Sequence, residues 1–155
     1  MDGLSSAMKY KNMNKTISAY LAGIIDGEGS ICIVRKFGPR SKNPSFLIRI
    51  SVGMSCLQII EFLQENFRGS IHKEKKKLNR KQMYRWNIQG NKAANFLEAI
   101  RPFLIEKKEK AKIAMEFYGL HTKMLKLPVK ERNNLRKKEE KYKQIIQYGN
   151  QTDKF

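Results

Sequence analysis

The hydrophobic period changes abruptly near residue 29, and that change constrains the fold more than any other feature of this sequence. Ile17, Leu21, Ile24 and Ile25 recur at helical spacing and form one apolar stripe, which predicts a helix from about Thr16 to Asp26. Thr16 is placed to cap its start. Gly27-Glu28-Gly29 is expected to end it, since two glycines so close favour a sharp exit. From Ser30 the period is two. Ser30 to Phe37 is rich in β-branched residues and reads as a strand, and residues 38–44 form a loop punctuated by Gly38, Pro39, Asn43 and Pro44. Next, Phe46, Ile48, Ile50 and Val52 alternate with Leu47, Arg49, Ser51 and Gly53. That pattern predicts a half-buried strand whose second face is free for another purpose.

The same order then recurs without a sequence repeat. Ser55 is a suitable N-cap for a helix from Cys56 to Phe67, with Leu57, Ile60, Leu63 and Phe67 as its stripe and Gly69 at its close. Strands are expected over residues 70–77 and 81–89, flanking a turn at Leu78-Asn79-Arg80. Helical period returns at Ala93, Phe96, Leu97, Ile100 and Leu104, interrupted near Pro102, and again from Lys107 to about Lys123. Residues 129–147 are helical in pattern but mostly charged, and they read as a solvated surface helix in preference to a phosphate-contacting one. The α-β-β-α-β-β-α order predicts an α+β domain. Its four-stranded antiparallel sheet would carry helices on one face and leave the other open. Residues 1–14 are expected to be a flexible polar lead-in, 15–125 the core domain and 126–155 a basic helical extension.

Thirty-two Lys and Arg against fourteen Asp and Glu give a formal charge of +18. Such a field attracts polyanions, and nucleic acid fits better than a membrane surface. Charge alone chooses neither between DNA and RNA nor between binding and cutting. No apolar run approaches the roughly 18 residues of a membrane span, and the N-terminus has no signal-peptide pattern. Cys32 and Cys56 sit in apolar patterns and read as reduced thiols, so an intracellular location is expected.

The open sheet face is the expected nucleic-acid surface. In strand phase it carries Ser30, Cys32, Val34 and Lys36, then Ser45, Leu47, Arg49 and Ser51. The later strands add Ser70, His72, Glu74 and Lys76, and Met83, Arg85 and Asn87. Arg40 in the first loop and Arg80 at the later turn join them. A β-ribbon fits the major groove, and polar side chains of this mixture can read base edges. Lys73, Lys75, Lys76, Lys77, Arg80 and Lys81 cluster round one turn, better suited to holding phosphates than to specifying sequence.

Chemistry-bearing motifs are few. His72 and His121 have no Cys or His partner at metal-ligand spacing and read as surface histidines. There is no Walker A sequence, nucleophile elbow or zinc signature. What remains is Leu21-Ala22-Gly23-Ile24-Ile25-Asp26-Gly27-Glu28-Gly29-Ser30. Leu21, Ile24 and Ile25 anchor its helix in the core. Tyr20, Gly23 and Gly27 fall on a separate stripe, where small residues permit close approach of a second helix. Glu28 is then expected just beyond the helix end. Two copies meeting along that stripe would bring two Glu28 carboxylates together, an arrangement that needs shared cations.

This segment resembles the signature motif of the LAGLIDADG homing endonucleases, and the predicted order of elements over about residues 15–123 resembles that family's core. The resemblance implies a saddle-shaped antiparallel sheet and a single-motif chain that works as a homodimer. It also implies Mg²⁺-dependent cleavage of both strands of a long, pseudo-palindromic DNA duplex, with Mn²⁺ or Ca²⁺ able to substitute in binding. Carried over by position, Glu28 is the acidic metal ligand and Gly27 offers a backbone carbonyl. Asp26 is more structural than catalytic, and Lys107, after Pro102-Phe103-Leu104, is the active-site lysine. Lys108 takes that role if the register shifts by one. Tyr20, Gly23 and Gly27 form the dimer interface. One position departs: where relatives often carry Gln or Asn, this chain has Met54, so either Ser55 substitutes or activity is low or absent. The same fold also serves RNA-binding intron maturases and inactive DNA-binding proteins, which are the alternative readings. Genes of this family often lie in introns or inteins, so an intron-encoded origin is expected.

Overall fold

A computed structural model describes residues 13–36 and 45–148. The segment before residue 13, the loop of residues 37–44 with Arg40, and residues 149–155 lie outside the described residues. The elements are α1 (Lys15–Glu28), β1 (Gly29–Lys36), β2 (Ser45–Met54), α2 (Leu57–Phe67), β3 (Ser70–Lys73) and β4 (Tyr84–Gln89). They continue with α3 (Asn91–Ile100), a 3₁₀ turn at Arg101–Phe103, α4 (Lys108–Leu125), a second 3₁₀ turn at Val129–Glu131, and α5 (Arg132–Tyr148).

α1 begins one residue earlier than its pattern predicts, because the Asn14 side chain, rather than Thr16, caps it and accepts from the Thr16 N–H at 2.9 Å. It also runs further. Gly27 and Glu28 stay helical, and the chain turns only at Gly29, whose N–H bonds to the Ile25 carbonyl. A Cβ at Gly29 would lie 2.7 Å from the Ile25 Cα, so the tight passage from helix to strand requires glycine there. Glu28 is therefore the last helical residue, not one beyond the end. α2 starts at Leu57 without the expected Ser55 cap; Cys56 precedes it and makes no side-chain capping bond.

The four strands form one antiparallel sheet in the order β1-β2-β4-β3. β3 and β4 are shorter than their sequence pattern predicts, with four and six residues. Past Lys73 one ladder bond persists, from the Glu74 N–H to the Met83 carbonyl at 3.0 Å. The Gln82 side chain closes the hairpin by donating to the carbonyls of Glu74 and Met83 at 2.7 and 3.0 Å. Lys75, Lys76, Lys77, Arg80 and Lys81 are all exposed in the remainder, and like charges facing across a hairpin disfavour longer pairing.

Alternation along the strands builds the core. Ile31, Ile33, Phe46, Ile48, Ile50, Val52, Trp86 and Ile88 are buried on the inner face. Against them pack Leu21, Ala22 and Ile25 of α1, Ile60, Leu63 and Phe67 of α2, and Phe96, Leu97 and Ile100 of α3. Phe96 meets Phe67 and Trp86 edge-on at centroid distances of 5.0 and 5.6 Å. The Trp86 indole N–H is satisfied by the Arg68 carbonyl at 2.7 Å. The neighbouring turn demands Gly69: its φ is +95°, and a Cβ would lie 2.4 Å from the Asn87 carbonyl oxygen.

α5 departs from the solvated reading. Ile146 and Glu139 are buried and Tyr142 is half-buried, while Lys137, Lys138 and Lys141 face solvent. Its packing partners are α4 and β1. Lys143, Ile146 and Gln147 line a cleft of about 430 Å³ with Cys32, Val34 and Arg49. The helix thus borders the otherwise open sheet face along its β1 edge. His121 of α4, expected on the surface, donates from Nδ1 to the Glu139 carboxylate at 2.6 Å, and its ring stacks on Phe117.

Candidate functional site

The C-terminal end of α1 meets the start of α4. Lys107 is the residue before that helix and has no side-chain cap from its own segment. Asp26 supplies one from across the fold. Its Oδ1 accepts from the Lys107 N–H at 3.0 Å and its Oδ2 from the Ile105 N–H at 2.8 Å. A carboxylate at a helix N-terminus also meets the favourable end of the helix dipole. Desolvation would raise the Asp26 pKa, but the backbone N–H groups of Ile105, Lys107 and Glu106 and the Lys107 ammonium outweigh it. The net direction is down from the ordinary 3.8.

Lys107 returns the contact. Its Nζ donates to the Asp26 carbonyl at 2.5 Å and lies 2.7 Å from a Glu106 carboxylate oxygen, with the side chain only 12% exposed. This fixes an ammonium on Asp26, in the same final turn of α1 as Glu28. Lys108, the first residue of α4, is exposed and makes none of these contacts. Glu28 and Gly27 are also exposed. Among the described residues no three His, Cys, Asp or Glu side chains converge as a metal site. The last turn of α1 thus carries the exposed Glu28 carboxylate and the carbonyl of Gly27, in a turn where helical carbonyls lack intrahelical partners. Carboxylate and carbonyl oxygens are hard donors of the kind Mg²⁺ prefers.

The outer side of α1 is bare. Ile17 is 40% and Tyr20 53% exposed, Gly23 and Gly27 lie on the same side, and a Cβ on either glycine would meet nothing within 4 Å. Among the described residues, nothing in the protomer's packing calls for glycine at these positions.

The open sheet face is ordered by register. Lys36 pairs with Ser45, Val34 with Leu47, and Cys32 with Arg49, which in turn pairs with Gln89. Ser30, Ser51, Asn87 and Ser70 form the next row, and Gly53, Arg85 and His72 the last. Most of the side chains expected on this face therefore share it. Ser51 is on it but only 6% exposed, held by the Ser30 hydroxyl at 2.7 Å. Met83 precedes β4 and is half-buried, and Lys76 and Arg80 are exposed in the hairpin loop. Gln89 also belongs to the face; the alternation of Arg85 and Asn87 extends to it, two residues on.

A scan of protein-family models and a search of curated proteins both return no match. Solved structures do match. One is the homing endonuclease I-CvuI in complex with its target, with TM-score 0.68 and 19% identity over 90% of this chain and 85% of that one. A second is the archaeal intron-encoded homing endonuclease I-Vdi141I complexed with DNA, with TM-score 0.67 and 20% identity over 90% and 89%. A third is the LAGLIDADG homing endonuclease I-SmaMI bound to cleaved DNA, with TM-score 0.63 and 15% identity over 85% of this chain and 44% of that one.

This is the LAGLIDADG homing-endonuclease fold. Within it, the motif helix is α1, and its outer glycine stripe is uncovered in the single protomer. The chain spans about half the length of I-SmaMI. Met54, where the resemblance implied Gln or Asn, pairs with Tyr84 and packs partly buried against the core, while Ser55 beside it is exposed. The Glu139–His121 pair, which the sequence reading misses, lies outside the LAGLIDADG motif. A glutamate within a lysine run gives no sign in sequence of its burial.

Proposed function

We propose that this chain is a site-specific DNA endonuclease of the homing type, acting as a homodimer on a long, pseudo-palindromic duplex. The observation that carries this reading is the junction of α1 and α4. There an exposed Glu28 and a tethered Lys107 lie at the end of a bare glycine-bearing helix, in a chain with a formal charge of +18. Two copies meeting along Tyr20, Gly23 and Gly27 would pair the half-sites, and two-fold protein symmetry would match two-fold DNA. The matching of this chain to half of I-SmaMI supports that assembly.

Glu28 of each protomer and the Gly27 carbonyl would hold Mg²⁺, with Mn²⁺ or Ca²⁺ able to substitute in binding. When bound, such an ion supplies Lewis acidity for water activation and for charge on the leaving oxygen. Lys107, held by the Asp26 carbonyl, would place its positive charge beside the phosphate where negative charge develops. Ser30, Cys32, Val34, Lys36, Leu47, Arg49, Asn87, Ser70 and His72 would face the groove, and the hairpin lysines would hold phosphates.

A second reading is favoured by one observation. Met54 puts no polar group at the end of β2, which suits a protein that binds the duplex without cutting it. An RNA-binding maturase would likewise need no Glu28. Incubation with a randomised palindromic DNA pool and Mg²⁺, followed by sequencing of cut ends, separates these readings. Selective cleavage that vanishes in Glu28→Gln supports the nuclease. Binding without cleavage supports the inactive form, and cleavage that persists in Glu28→Gln discards the catalytic assignment.

A further inference from the structure

Arg85 on the open face has a guanidinium that is already aimed. Glu74 Oε1 accepts from its Nε at 2.8 Å and lies 2.6 Å from its Nη2. The residue opposite in the register is Gly53, and a Cβ there would lie 3.5 Å from Cζ, 3.5 Å from Nη2 and 3.7 Å from Nη1. Near-equal distances mean that the guanidinium lies face-on over the position a Cβ would take, so that a methyl group at position 53 would just touch it. The Arg85 and Glu74 side chains are 48% and 37% exposed. An exposed pair of this kind adds little to stability, so stability does not account for it.

Arginine has five N–H donors, and Glu74 occupies one edge of the fork. The opposite edge, formed by Nη1 and the second N–H of Nη2, points away from Glu74 and has no partner among the described residues. That edge has the geometry for guanine O6 and N7 in the major groove. β1 starts at Gly29 opposite Val52, so carrying the register one residue back puts the Gly53–Arg85–His72 row level with Glu28.

We propose that Arg85, positioned by Glu74 over Gly53, reads a guanine at the inner end of each DNA half-site. This rests on the DNA-binding reading above and adds a specificity-determining residue and its positioning partner. Lysine at position 85 keeps the charge but not the fork, and glutamine at position 74 keeps the shape but loses the aiming charge.

Sites selected from a randomised duplex pool by the wild type, Arg85→Lys and Glu74→Gln test the assignment. The wild type is expected to retain a guanine at one inner position of each half-site. Arg85→Lys should lower that preference roughly tenfold to a hundredfold and leave other positions unchanged. Glu74→Gln should relax the same position, because the guanidinium loses the carboxylate that aims it. A merely structural role for Glu74 would not single out one base pair. Unchanged guanine preference in either variant, or a selected site with no inner guanine, overturns the proposal. A wild type that selects no sequence at all overturns it together with the DNA-binding reading on which it rests.

Discussion

The carboxylate of Asp26 accepts the backbone N–H of Lys107, 81 residues later in the chain, and the Lys107 ammonium donates to the Asp26 carbonyl. This reciprocal clasp ties the end of the motif helix to the start of α4. Through it, Asp26 sets where the Lys107 ammonium stands.

Asp26→Asn is expected to cost about 1 kcal/mol of stability, within the range for removal of a helix cap, and to reduce cleavage more than the stability change alone explains. The pH dependence follows from the lowered pKa. A carboxyl whose folded pKa lies below its unfolded value adds stability above the ordinary 3.8, and that contribution is lost as pH falls through the folded value. Thermal unfolding between about pH 6 and pH 2 should show an acid limb that shrinks in Asp26→Asn. An identical limb in both proteins would remove Asp26 from this role.

The bare stripe of α1 gives opposite expectations for small and large substitutions. A Cβ at Gly23 meets nothing within 4 Å. In the isolated protomer Gly23→Ala should therefore add about 0.5–1 kcal/mol of helix stability. Gly23→Leu should leave the protomer folded yet weaken self-association, read by light scattering against the 18.1 kDa of one chain. An unaltered dimer in Gly23→Leu would place the interface elsewhere.

Elements differ in how openly the sequence declares them. The period change from Ile25 to Ile31 identifies α1, β1 and β2, because burial on one side imposes a spacing that residue type alone reveals. The end of α1 lies two residues beyond the point its glycines suggest, since Gly27 faces open space and the helix continues through it. The hairpin beyond Lys73 is shorter than its pattern because β-propensity says nothing of lysines facing one another. The docking of α5 is hidden more deeply. Its packing surface is made by Glu139 and a few apolar residues scattered among lysines, and only the position of His121 on α4 explains the glutamate's burial. The clasp between Asp26 and Lys107 is unreadable for a related reason: a bond spanning 81 residues has no local pattern.

His121→Ala leaves Glu139, which is fully buried, with neither carboxylate oxygen partnered, since Oε2 already has no partner. Breaking such a pair from one side costs roughly 3–5 kcal/mol, whereas replacing both members by leucine should cost far less. Denaturant midpoints of the two variants decide the point, and equal losses would show that the pair contributes little to docking α5.

If about six to ten phosphates are bound, affinity for duplex DNA should fall about 10³- to 10⁵-fold between 50 and 200 mM salt. Replacing Lys75, Lys76 and Lys77 by alanine should lower the salt slope by up to about 0.9 for each phosphate that is no longer neutralised, with the selected sequence unchanged. A changed sequence preference would mean that the hairpin reads bases after all.

In the proposed complex, one Glu28 from each of two protomers holds divalent metal beside the duplex. Anomalous diffraction from a manganese-soaked co-crystal of the protein with its selected DNA tests it most directly. Metal density is expected between the two Glu28 carboxylates, within reach of the scissile phosphates and of Lys107. Density elsewhere, or two Glu28 side chains far apart and turned from the DNA, would contradict it.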